Sequence, residues 1–286
     1  MYFIYSIIEK IFFLISPLYF RIRIFKNKEH PTRFKEKKSI TNLKRGNGKI
    51  IWFHAASVGE IKSIIPLIEL VTKIKSIKKI LITTNTLSSS KIVQKVFIKN
   101  KKTIHQFFPM DVKYFVKKFL NFWSPKTAIF IDSEIWPNFI NQIKLKKINL
   151  LLINGRITKK SFRKWKKIIS FAKTNFSQFD LNIVANKLSK NYLKKLGSKN
   201  IKYFGNLKFS DSINNKKIKI SKNKYFNKKK IWCAASTHPS EEMFCGKVHK
   251  ELKNKLTNLV TIIIPRHISR ISKIKKELLD LKLKVK

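Results

Sequence analysis

The chain has 286 residues, with 64 Lys plus Arg against 15 Asp plus Glu, a formal net charge of +49, and 43% of its residues are hydrophobic. That apolar content excludes a disordered basic tail and the length excludes a small disulfide scaffold, while the charge points to an anionic partner, either nucleic acid or a membrane surface. Only 7 Gly and 8 Pro occur, and Ile, Lys, Asn and Phe recur throughout, so a general compositional bias contributes to the charge alongside any functional demand.

Residues 2–8 and 11–20 are almost wholly apolar, interrupted by Glu9 and Lys10, ended by Pro17 and followed by Arg21, Arg23, Lys26 and Lys28. Each run is shorter than the ~20 residues that span a bilayer. No basic region precedes them and no small-residue cleavage site follows, which argues against a removable signal peptide. The reading is a membrane-anchor helix over 1–28 that lies in, or shallowly enters, the inner leaflet, with the basic residues meeting anionic headgroups. The alternative is a buried first helix.

From residue 49 a rhythm sets in. Short β-branched runs recur at 50–54, 80–84, 104–108, 127–131, 148–153, 181–185 and 201–204. Between them lie stretches at helical spacing, such as Ile61, Ile64, Ile65, Ile68 and Val71. This alternation predicts βαβ units, hence an α/β domain over 29–210 with a mostly parallel sheet and helices on both faces. Residues 211–230 turn polar and densely charged and read as a linker. A second domain over 231–286 resumes with strands at 231–235 and 259–264 and helices near 240–253 and 268–281. Cys233 and Cys245 stand too far apart for a C-x-x-C pair, and no other residues supply metal ligands at a usual spacing.

Open parallel sheets bind ligands beyond the carboxyl ends of their strands. After the first strand comes HAASVGE, 54–60, whose small residues admit a ligand and whose Glu60 falls in the first turn of a helix. Capping alone would also explain an acid there. After the fourth strand comes DSEIWPN, 132–138, in which Pro137 suits a first helical turn and leaves Asp132, Ser133 and Glu134 at the mouth of the sheet. NGRIT, 154–158, places Arg156 after the fifth strand, and GNLKFSD, 205–211, places Lys208 after the seventh. In the second domain, ASTHPSEE, 235–242, and PRH, 265–267, form loops whose amides, hydroxyls, Arg266 and His267 suit a phosphate. His30, His105 and His249 read as structural.

Taken in order, WFHAASVGE, DSEIWPN, INGRIT, GNLKF, AASTHPSEE and IIPRH resemble the Kdo (3-deoxy-D-manno-octulosonic acid) transferases of lipopolysaccharide synthesis. The apolar, then basic, N-terminus resembles that family's membrane anchor. The resemblance implies a GT-B type glycosyltransferase with two Rossmann-like domains on the cytoplasmic face of the inner membrane. The donor would be CMP-Kdo and the acceptor the lipid A precursor lipid IVA, with no cofactor or metal. Matched position by position, Glu60 becomes the catalytic base and Glu134 and Lys208 become stabilisers of the transition state. Arg266 and His267, with Ser236 and Thr237 beside them, become part of the CMP site.

An inverting transfer fits these roles: a carboxylate takes the proton of the attacking hydroxyl, and cationic or amide donors meet the departing phosphate. Glu134 would support a partly cationic anomeric carbon or orient Lys208 or the acceptor. The chain departs from the family in having Asp132 where Glu is usual and Pro239-Ser240 before Glu241-Glu242. The family's later glycine-rich segments, which complete the nucleotide site, have no counterpart here. The resemblance therefore implies a truncated second domain, and weak or no activity unless a second polypeptide supplies the rest. Two other classes compete: a basic nucleic-acid-binding protein, for which neither an aromatic-lined basic groove nor a known module is visible, and a non-catalytic remnant of the transferase.

Overall fold

The computed structural model describes residues 2–209, 226 and 228–285. The chain divides into two compact units, Met1–Ile213 and Asn214–Lys286. The linker expected over 211–230 lies outside the described residues, except for 226 and 228–230, and a strand already begins at Lys230.

In the first unit, β1 (Lys49–His54), β2 (Ile77–Thr84), β3 (Thr103–Phe107), β4 (Thr127–Ile131), β5 (Asn149–Gly155), β6 (Leu181–Val184) and β7 (Ile201–Tyr203) form one sheet. The strand order is β3-β2-β1-β4-β5-β6-β7, and every neighbouring pair is parallel. Both faces are covered, which is why the strands read as nearly continuous apolar runs. Along β1, Ile50 and Trp52 enter one core and Phe53 enters the other. Helices α2 (Val58–Thr72) and α3 (Leu87–Phe97) cover the Phe53 side with Ile61, Ile64, Ile68, Val93 and Phe97. Helices α4 (Lys113–Trp123), α5 (Pro137–Leu145), α7 (Ile169–Phe176) and α8 (Lys187–Lys195) cover the Trp52 side, and α6 (Lys159–Lys166) packs Phe162 and Trp165 against it. Trp52 is fully buried at the centre, with the rings of Phe119, Phe130 and Phe139 between 4.9 and 5.5 Å away.

Helix starts are set by local chemistry. Ser57, Thr86, Thr158 and Asn186 each accept a backbone N–H three residues on, at the heads of α2, α3, α6 and α8. Helix α5 has Trp136 at that position, which offers no acceptor. Asp111 substitutes from a distant loop, taking the amides of Asn138 and Phe139 at 3.0 and 2.9 Å.

The N-terminal segment forms one helix, as expected, with no break at Glu9-Lys10 or Pro17 between its two apolar runs. Helix α1 (Tyr2–Phe25) is continuous over 24 residues and passes through Pro17. Proline removes one N–H and so strands the carbonyl four residues earlier; here the Ser16 hydroxyl donates to that carbonyl, Phe13 O, at 2.8 Å. Glu9 does not break the helix either, because its carboxylate faces the body of the unit and accepts from the Lys113 amide at 3.1 Å and from the Asn138 side chain. Phe13 meets Phe115, and Phe20 meets Phe34. The outward side carries Phe3, Ile4, Ile7, Ile11, Leu14, Ile15 and Leu18, all exposed. By length and apolarity Phe3–Phe25 suffices to cross a membrane.

The second unit pairs β8 (Lys230–Thr237) with β9 (Leu259–Pro265) in parallel, with helices α9 (Glu241–Lys253) and α10 (Ile271–Asp280). A Cβ at Gly246 would come within 2.7 Å of the Leu278 side chain, so a larger residue there would make Leu278 and Leu281 shift. Cys233 is exposed, Cys245 is buried, and neither forms a disulfide.

Candidate active site

The order of the large sheet reverses direction between β1 and β4, because β1 leads outward to β2 and β3 while β4 leads to β5, β6 and β7. A crevice opens at such a switch point beyond the strand ends. The loops carrying Glu60 and Glu134 leave β1 and β4, one on each side of it.

Glu60 sits in the first turn of α2, three residues after the cap Ser57. Its carboxylate folds back over the loop, accepting the Ala56 amide on Oε2 and the Ser57 hydroxyl on Oε1, each at 2.7 Å. Burial pushes its carboxyl above the ordinary value; the Ser57 and Ala56 hydrogen bonds pull it down, and the charges of Glu134 and Asp132 push it up again. The result is a carboxylate fixed in direction and more basic than a free one.

Glu134 lies in the loop between β4 and α5. Its Oε2 accepts from His54 Nε2 at 3.1 Å and from the Trp136 indole at 2.8 Å. Burial favours the neutral acid, yet the hydrogen bond and charge of His54, with the Trp136 bond, hold the carboxyl below its ordinary value. His54 ends β1 on the same side of the strand as Ile50 and Trp52. It is fully buried, stacks on Phe108 with ring centres 3.6 Å apart, and sets its Nδ1 against Thr83 Oγ1 at 3.0 Å.

Asp132 occupies the left-handed region at φ 63°, where a non-glycine residue is strained. Burial raises its carboxyl, while the charges of Lys208 and Arg156 lower it. Lys208 is exposed in the 3-10 turn Leu207–Phe209, which is tied to the end of β5 by the Leu207 amide donating to Asn154 Oδ1 at 3.2 Å. Glu60, Glu134 and Lys208 therefore stand at one end of one sheet. The charge of Glu134 acts on the carboxyls of Glu60 and Asp132, and that of Lys208 acts on Asp132. Sequence reasoning did not pick out His54, Trp136 or Asn154. The period-two face of β1 was the available signal for His54.

In the second unit, Ser236, Thr237, Arg266 and His267 lie at the carboxyl ends of β8 and β9. Ser236 has φ 61° and, like Arg266 and His267, is exposed. The Arg266 amide donates to Thr237 O at 3.0 Å. The Thr237 side chain is buried, and its hydroxyl donates to Glu242 Oε1 at 2.8 Å. Its hydroxyl thus faces the protein, which leaves the Ser236 hydroxyl, the Arg266 guanidinium and His267 as the outward groups. Glu242 also receives both terminal nitrogens of Arg270.

His30, His105 and His249 take part elsewhere. His30 Nδ1 accepts the Thr32 and Arg33 amides, and His249 meets Thr261 Oγ1. Burial, with Arg33 nearby, brings His105 down to about 3. Among the described residues no group of three or more His, Cys, Asp and Glu is placed to hold a metal ion.

Comparison with solved structures shows the fold. UDP-GlcNAc 2-epimerase from Neisseria meningitidis superposes with a TM-score of 0.59 at 15% identity, over 82% of this chain and 68% of that one, a GT-B-like Rossmann architecture. In sequence, the 3-deoxy-D-manno-octulosonic acid transferase of Rickettsia bellii is 36% identical over 92% of this chain and 63% of its own length. The enzyme of the same name from Haemophilus influenzae is 31% identical over 77% of this chain and 52% of its own. The chain thus spans less than two thirds of the length of these relatives. Residues 28–211, which include the whole large sheet, match the family described as 3-deoxy-D-manno-octulosonic-acid transferase (kdotransferase). The chain belongs to the Kdo transferase family of glycosyltransferases.

Proposed function

We propose that this chain serves an inverting transfer of Kdo from CMP-Kdo to lipid IVA at the cytoplasmic face of the inner membrane. The observation that carries the reading is the pair Glu60 and Glu134 on opposite sides of the β1/β4 switch point. Glu60 accepts the proton of the attacking acceptor hydroxyl; its raised proton affinity suits it to that task, and the Ala56 and Ser57 bonds aim it. Glu134, held ionised by His54 and Trp136, offers a fixed negative charge to the partly cationic anomeric carbon. Lys208, reaching the same cluster, neutralises charge that develops on the departing phosphate. Ser236, Arg266 and His267 of the second unit are assigned to the CMP moiety, with Thr237 contributing its backbone and fixing the loop.

The test is the formation of Kdo-lipid product from CMP-Kdo and lipid IVA by the purified chain and by Glu60→Gln. Loss of product by about a hundredfold or more with lipid IVA binding retained supports Glu60 as base. Product formation indifferent to that substitution overturns the assignment.

A further inference from the structure

A cavity of about 400 Å³ lies between α1 and the loops that follow β2 and β3. Its α1 wall is formed by Ile8, Phe12 and Tyr19, a single stripe of the helix that extends for about 16 Å at 1.5 Å per residue. Phe108, Met110 and Trp136 contribute the opposite wall. The volume is that of a small-molecule site, which typically has about 300–1,000 Å³, and the lining is mainly apolar. An apolar wall that runs along about three turns of a helix suits a hydrocarbon chain.

Two neighbours tie this slot to the carboxylates. Trp136 forms its wall and donates to Glu134. Asn85, also in the wall, donates its amide to the Ala56 carbonyl, and the Ala56 amide holds Glu60. The slot is also continuous with a surface suited to lipid, since Ile8 and Phe12 are partly exposed and border the outward apolar side of α1. Charge gives it polarity. Arg23 and Lys37 both lie against Glu29 Oε2, at 3.1 and 2.9 Å, so two cations share one carboxylate beside the cavity. The acids in the wall, Glu9 and Asp111, are already engaged by Lys113, Asn138, Phe139 and Tyr5.

We propose that this cavity receives one acyl chain of the acceptor lipid, with the Arg23 and Lys37 end facing its anionic headgroup. The proposal rests on the lipid-acceptor reading above. It makes α1 a wall of the acceptor site as well as an attachment to the membrane.

The experiment uses the full chain in phospholipid nanodiscs with lipid IVA bearing a diazirine in one acyl chain, and maps the photo-adducts by mass spectrometry. Adducts at Ile8, Phe12, Phe108 or Met110, displaced by unlabelled lipid IVA and not by phosphatidylglycerol, are expected. The Ile8→Trp variant, which fills the slot from an exposed position, is expected to weaken lipid IVA binding by about tenfold and to leave binding to phosphatidylglycerol vesicles unchanged. Adducts confined to Leu14 and Leu18 on the outer side of α1, or equal displacement by phosphatidylglycerol, would overturn the proposal. If lipid IVA binds normally to Ile8→Trp, the cavity assignment alone falls; if the unaltered chain does not bind lipid IVA at all, the lipid-acceptor reading falls with it.

Discussion

His54 Nε2 stands 3.1 Å from Oε2 of Glu134, joining the end of β1 to the loop after β4 across the switch point of the sheet. The Trp136 indole donates to the same oxygen, so Oε2 is held by two donors. Glu134 is thereby a charge set in place before any substrate arrives, which is the arrangement that electrostatic catalysis requires.

Replacing His54 by Phe keeps the stack on Phe108 but removes the donor and its charge. Burial then governs Glu134, and its proton affinity rises. In the unaltered chain the folded-state value lies below the ordinary 4.5, so Glu134 contributes stability above that pH and loses it as pH falls through the lower folded value. In His54→Phe the loss reverses sign: ionised Glu134 becomes a burden near neutrality that is relieved on acidification. Thermal unfolding at neutral pH should show His54→Phe destabilised by about 1–3 kcal/mol, with the gap narrowing towards pH 4. A gap that widens on acidification would contradict the assignment.

The seven strands of the large sheet were readable because both faces are buried and each strand is an apolar run. β2 begins at Ile77, three residues before the expected start at 80, because Lys78 and Lys79 interrupt the apolar pattern although Ile77 and Lys79 pair with β1. Glu60 and Glu134 were legible as acids following strands. The relation of His54 to Glu134 was not, since it depends on a contact between residues 80 positions apart. The contacts that keep α1 continuous were equally hidden: Pro17 is tolerated through the Ser16 hydroxyl, and Glu9 through Asn138 and Lys113.

Asp111 links three elements, accepting from Tyr5 of α1 and from the first amides of α5. Burial pushes its carboxyl from 3.8 up to about 6, against the pull of these donors and with the help of Glu9. A raised folded-state value means that the folded chain takes up a proton between about pH 6 and 3.8 while the unfolded chain does not, so this group adds stability as pH falls through that window. Asp111→Asn cannot titrate. Its melting temperature, compared with that of the unaltered chain, should fall further behind at pH 5 than at pH 7. A constant difference would refute the shift.

In the second unit, Glu242 is fully buried and receives Thr237 and both terminal nitrogens of Arg270. Arg270 first, then Thr237, draws its carboxyl below the ordinary value against burial. Removing Arg270 leaves the Glu242 charge uncompensated in a site cut off from water, which destabilises the fold around it. Arg270→Met should therefore collapse amide-exchange protection in α9 and β9. The double change Arg270→Met with Glu242→Leu should recover much of it, because a matched apolar pair no longer strands a charge. Equal protection in the single and double variants would show that the pair is not what holds this loop.

Helix α1 is long enough to cross a bilayer, but its contacts set a different geometry. Glu9 is bonded to Asn138 and to the Lys113 amide, and Phe20 is buried against Phe34, so the helix is held to the protein in its first half and again towards its end. The outward side is the one that faces the bilayer, and a helix so placed lies along the interface. Both of its ends should then remain on one side of the membrane. Cysteines introduced at Phe3 and at Phe25, in a Cys233→Ser background that removes the exposed native thiol, should both react with an impermeant maleimide added outside vesicles to which the chain has bound. Protection of one end alone would show a crossing helix. Leu14→Glu with Leu18→Glu should lower vesicle binding by about a hundredfold or more, since each outward leucine contributes about 1.5–3 kcal/mol when buried in lipid. The remaining binding should weaken with salt, because Arg21, Lys26 and Lys28 follow the apolar stretch and meet anionic headgroups through screened charge.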